Sequence, residues 1–83
     1  MATEILPVAD TKVNSADITF DKDTAVWISG SRALDVEIGI SLKASDNSYD
    51  GVGFLGNGNW SGLLPAGTYR FSRISGKAGL QHA

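Results

Sequence analysis

The side chains able to do covalent or acid–base chemistry are few in this 83-residue chain. Its one histidine, His82, stands a single residue from the C-terminus, and cysteine is absent. A Ser/His/Asp or Cys/His nucleophile would therefore depend on an end residue expected to be solvated. Zinc, which takes thiolate and imidazole ligands, has no ligand set to draw on. Paired-carboxylate hydrolysis needs two acids fixed across a cleft, and so short a chain leaves little room for one. The sequence thus predicts no enzyme, no catalytic residue, no bound metal and no cofactor.

Two stretches carry weaker chemical signals. In Asp46-Asn47-Ser48-Tyr49-Asp50-Gly51 oxygen donors alternate ahead of a glycine, as in the first half of a calcium loop. The twelfth position of that loop is Asn57, which cannot supply a bidentate carboxylate, so a polar hairpin turn is the simpler expectation. Gly51, Gly53, Gly56 and Gly58 are spaced like a phosphate loop but lack the Lys-Ser/Thr pair and a following helix. They predict a wide, mobile loop between two strands. Trp60 follows that loop, and its two expected places are a lid over one end of the fold or an exposed contact for a sugar or protein. Trp27, between Val26 and Ile28, is expected in the core or in a subunit interface.

The elements that must position these residues are strands. Leu34, Val36, Ile38, Ile40 and Leu42 fall on every second position, with polar residues or glycine between them. That is the period of a strand with one dry face, and it predicts a strand over 34–43. Asp17–Phe20, Ala25–Ser29 (closed by Gly30-Ser31) and Thr68–Ile74 repeat the pattern between turn residues, and Gly51–Leu55 gives a looser strand. Short strands with no helical period predict an all-β, single-domain antiparallel β-sandwich or small barrel. Its core is placed at residues 15–76. Residues 1–14, where Ile5, Leu6, Val8 and Val13 surround Pro7 without clean alternation, are placed outside it as an extended N-terminal arm or an edge strand. Residues 77–83 are expected to form a tail or a last short strand.

Composition supports a globule: 42% of residues are apolar and 19% charged, with a formal net charge of −2. So weak a charge predicts no nucleic-acid partner, and no apolar run approaches the ~20 residues of a membrane helix. The opening residues lack a basic segment followed by a long apolar one, which predicts no signal peptide and assembly in a cytoplasm. Residues 1–50 hold nine acids and four bases, a net of −5, whereas residues 51–83 hold three bases and no acid. Arg70 and Arg73 thus become candidates for contact with an acidic patch on a neighbouring subunit or partner. A chain of this size buries only about 60–65% of its unfolded surface, so self-association would help it. Ile5, Leu6 and Val8 of the arm are candidates for covering a neighbour's edge strand.

The run Leu63-Leu64-Pro65-Ala66-Gly67-Thr68-Tyr69-Arg70-Phe71-Ser72-Arg73-Ile74-Ser75-Gly76, with its P-A-G-T-Y-R turn, resembles small structural proteins of tailed bacteriophages. The Ser45–Gly53 stretch is similar to the same group, which includes capsid decoration, or cement, proteins. The resemblance implies a virion protein assembled in the host cytoplasm, bound to the major capsid protein at the capsid surface, often as a homotrimer, and stabilising the shell. It transfers no set of functional residues. The alternative is a receptor- or carbohydrate-binding module of a tail or head fibre, which would use Trp60 and Tyr49.

Overall fold

The computed structural model describes residues 2–30 and 33–83. Among them are nine strands: β1 (Thr3–Ala9), β2 (Val13–Asn14), β3 (Ile18–Phe20), β4 (Thr24–Gly30), β5 (Glu37–Lys43), β6 (Tyr49–Gly56), β7 (Ser61–Leu64), β8 (Gly67–Ser75) and β9 (Ala78–His82). One sheet runs in the order β1-β9-β4-β7, the other β2-β8-β5-β6, with β3 also paired to β8. Every pairing is antiparallel. The chain is an all-β, two-sheet sandwich, as the period-two patterning predicts.

Alternation decides which side chains meet between the sheets. Leu6, Val26, Ile28, Ala78 and Leu80 come from the first sheet; Phe20, Ile38, Ile40, Leu55, Tyr69 and Phe71 come from the second, with Val36 just ahead of β5. Each fully buried large apolar side chain contributes about 1.5–3 kcal/mol of transfer free energy, so this interface is the main source of stability. Phe20, Tyr69 and Phe71 form a ring series, with centroids 5.7 Å and 6.2 Å apart. Tyr69 turns its hydroxyl out of the core to donate to the Pro65 carbonyl at 2.8 Å, which closes the P-A-G turn leading into β8. Burial pushes the Tyr69 phenol above its ordinary pKa.

One expectation changes and two alternatives are decided. First, the strand expected over 34–43 begins only at Glu37. Val36 N–H donates to the Ala33 carbonyl at 3.1 Å, making a turn with Leu34 and Asp35 at its tip, and Leu34 is 74% exposed. Second, there is no free N-terminal arm among residues 2–14: β1 is an edge strand paired along β9, and β2 pairs with β8. Leu6 is buried in the core, Ile5 packs against it, and Val8 lies over Gly30, where a Cβ would approach a Val8 methyl within 2.9 Å. Third, residues 78–82 are an interior strand between β1 and β4, and His82 packs edge-on against Phe20 at 5.1 Å. The apolar spacing of Ala78 and Leu80 is too short a signal to separate an interior strand from a frayed end. The turn expected at Gly30-Ser31 includes Ser31, which is outside the described residues.

The glycine series is strand rather than wide loop. Gly51 and Gly53 lie in β6, and the reversal is confined to Gly56–Asn59, where Gly56 and Asn59 exchange N–H···O bonds of 2.7 and 3.1 Å. The Asp46 carboxylate accepts from Ser48 N–H and Ser48 hydroxyl (3.1 and 2.6 Å), so it closes the β5–β6 hairpin turn. Those bonds hold its pKa below the usual carboxylate value.

Candidate protein-docking surface

Strand β8 explains the placement of both arginines through one rule. Tyr69, Phe71 and Arg73 share its inward phase, whereas Arg70 and Ser72 point outward. Arg73 is accordingly buried at 3% exposure, with its aliphatic stem on the inner face of the sheet and not spread over the outer surface. Its guanidinium donates to three backbone carbonyls: Nε to Thr11 at 2.7 Å, and Nη1 to Pro7 at 2.7 Å and Ala78 at 2.8 Å. It therefore clamps the crossover from β1 to β2 onto β9. The remaining nitrogen, Nη2, makes no hydrogen bond among the described residues and is not sealed from solvent.

That clamp forms one wall of a groove of about 470 Å³ between β1 and β2, the neighbouring edges of the two sheets. Ile5, Leu6, Pro7, Ala9 and Val13 give it an apolar lining; among the described residues Arg73 and Lys12 are its charged ones, and no acid lines it.

Arg70 belongs to a polar cluster on the outer face of the second sheet. Its guanidinium carbon lies 3.8 Å from the centroid of the Tyr49 ring, and its Nε is enclosed without a partner. The Tyr49 hydroxyl donates to Asp17 at 2.7 Å, and Lys43 Nζ reaches the other carboxylate oxygen at 3.0 Å. The cluster ties β5, β6 and β8 to the segment before β3. The Tyr49 hydrogen bond, then the Lys43 bond, hold the Asp17 carboxyl below its usual 3.8. The same bond raises the Tyr49 phenol above 10.0, and Asp17 raises Lys43 above 10.5. Linkage gives the signs: the Asp17 contribution is complete above pH ~3.8 and is lost as pH falls through the lowered folded value. The Tyr49 and Lys43 contributions hold below their unfolded values and are lost as pH rises through the raised ones. Asp17→Asn should therefore move the Tyr49 phenol downward toward 10.0 in an alkaline absorbance titration, with Tyr49→Phe marking which of the two tyrosines is seen. An unchanged titration would mean that the Tyr49–Asp17 bond does not persist in solution.

The outer face also carries an apolar band. Phe54 pairs with Gly39, and the Ile74 methyl lies across Gly39, 3.3 Å from where a Cβ would stand. Phe54 is 59% exposed, Val52 53% and Ile74 43%. Val52 falls at the irregularity where β6 shifts register against β5. Strand β6 ends the sheet, so one of its edges has no neighbouring strand among the described residues, although Asn59 Nδ2 donates to the Phe54 carbonyl at 3.2 Å. The eight residues hold no proline and no lysine; Asp50 and the irregularity at Val52 guard the start of the edge, which leaves the Gly53–Gly56 half beside Phe54 the more open to pairing. The chain's alternation pointed to β8 and β5; it did not single out this edge, because glycines break the apolar pattern of β6. Trp60 is half-buried against the core, and its carbonyl accepts from Ile28 N–H at 2.9 Å.

No family model matches the chain, and no curated protein does. Among solved structures, the crystal structure of the SPBc2 prophage-derived protein YomS is similar, with a TM-score of 0.71 at 14% sequence identity. The match covers 99% of this chain and 88% of that one. At so low an identity it establishes that the two chains share a fold over nearly the whole of this sandwich.

Proposed function

We propose that the chain is a non-enzymatic structural protein of a tailed bacteriophage, docked on the capsid surface against the major capsid protein as a small homo-oligomer that stabilises the shell. The observation that carries this reading is the unpaired β6 edge beside the exposed Phe54–Val52–Ile74 band. Apolar side chains next to a free strand edge suit a protein partner, which can add backbone hydrogen bonds along the strand and cover the band. The fold shared with a prophage-derived protein supports the phage setting. A carbohydrate-binding role draws less support, since Arg70 covers one face of the Tyr49 ring and Trp60 is half-buried against the core.

The test uses phage heads made without this chain. Added back, the purified protein should co-sediment with the heads and raise their melting temperature. Phe54→Asp, placed on an exposed site, should keep the β-sheet circular dichroism of the wild type and weaken head binding about tenfold or more. Heads that neither retain the wild-type chain nor gain heat resistance would overturn the proposal.

A further inference from the structure

The groove between β1 and β2 combines an apolar lining with uncompensated positive charge. Arg73 sits at 3% exposure with backbone carbonyls as its hydrogen-bond partners and no carboxylate among them. A buried cation is costly unless it is paired, and carbonyl dipoles supply only part of what an anion would. Arg73 lines the groove with one guanidinium nitrogen, Nη2, outside its three hydrogen bonds, and Lys12 adds a second positive charge. The complementary occupant is an apolar side chain carried beside a carboxylate.

The chain itself presents that pair. Leu34 and Asp35 occupy the tip of the Ala33–Val36 turn, and both are exposed. The turn is held against β8 and the segment after it: Ser75 hydroxyl donates to the Asp35 carbonyl at 2.6 Å, and Gly76 packs so closely on Val36 that a Cβ there would fall 2.7 Å from its Cα. A leucine 74% exposed on a hydrogen-bonded turn offers an apolar group whose backbone is already placed for a contact, so that chiefly its side chain remains to be ordered.

We propose that the occupant of the groove is the Leu34–Asp35 turn of a second copy of this chain. Leu34 lies among Ile5, Pro7 and Val13 of the neighbour, and the Asp35 carboxylate faces the neighbour's Arg73 and Lys12. Turn and groove are different surfaces, so the contact is head-to-tail and closes into a ring when its rotation permits. This inference gives a residue-level basis to the homo-oligomer in the reading above and rests on that part of it alone.

The experiment is sedimentation velocity on the isolated full chain over a range of concentrations, with no capsid present. Wild type should associate as concentration rises. Leu34→Ser and Asp35→Lys, both on exposed sites, should each weaken association about tenfold or more while leaving the circular dichroism spectrum intact. Lys12→Glu should do the same, and the Lys12→Glu/Asp35→Lys double variant should recover association by restoring the opposite pairing. A wild-type chain that stays monomeric up to ~500 µM overturns the proposal, since a contact that weak, about 4–5 kcal/mol, would not hold a ring together. So does association indifferent to Leu34→Ser, or a double variant no better than its singles. Heads that bind a strictly monomeric chain would remove the second copy and leave capsid docking standing. Rings that form as expected but ignore heads would do the reverse.

Discussion

Arg73→Met is expected to lower the melting temperature by about 20 °C, the largest effect of any single substitution outside the apolar core. Methionine fills much of the same volume, so the loss is not chiefly a cavity. Removing both members of a buried polar pair can be nearly neutral, but here three backbone acceptors remain, on Pro7, Thr11 and Ala78. Hydrogen bonds to a charged donor contribute about 1.5–3 kcal/mol each, partly redundant when water can enter, which gives a loss of about 3–4 kcal/mol. For a domain of this size that is much of the total stability. Arg73→Lys keeps the charge but not the planar fork that reaches three carbonyls at once, and it should recover less than half of the loss. Thermal unfolding followed by circular dichroism measures both. A methionine variant melting within ~5 °C of wild type would mean that the clamp is not what fastens the β1–β2 crossover.

Gly56→Ala should be nearly as damaging, and Gly53→Ala, three residues earlier on the same strand, nearly silent. Gly56 has φ of +120°, which L-residues rarely adopt, and its Cβ would collide with the Val36 carbonyl. Relief requires moving either the β6–β7 turn or the start of β5, where Glu37 pairs with Gly56. The combined backbone strain and repacking should cost about 3–4 kcal/mol. At Gly53 an added Cβ meets nothing within 4 Å, so alanine there should change stability by no more than about 0.5–1 kcal/mol, the lost freedom of the unfolded chain offsetting any loss in the strand. Urea midpoints of the two variants make the comparison within one strand. Equal losses at the two positions would show that glycine matters in β6 for its flexibility and not for this single close approach.

Both predictions sit where local pattern and tertiary packing part company. The strand Thr68–Ile74 is legible because its residues alternate, and that same phase puts Arg73 with Tyr69 and Phe71 on the inner face. Counting Arg73 by its charge sends it outward; counting it by its position sends it inward, where it is found. Leu34 errs in the other direction. It keeps the period of Val36, Ile38 and Ile40, yet the Ala33–Val36 hydrogen bond ends the strand early and leaves it exposed. A period continues through a turn in sequence but not in space. Residues 1–14 carry Pro7 and two register shifts against β9, between Glu4 and Leu6 and between Leu6 and Ala9, which scramble the alternation that would have marked an edge strand.

By itself the sequence determined the all-β class, the strands β3, β4, β5, β6 and β8, and the inward residues at their centres, because burial of every second side chain is a local property of an extended chain. Only the tertiary structure decided that the C-terminal residues form an interior strand, that β6 is left with a free edge, that Arg73 clamps a crossover, and that an apolar, basic groove lies between β1 and β2. Those features depend on which strands become neighbours, and strand order is set by pairings between residues far apart in the chain, which no short window of sequence contains.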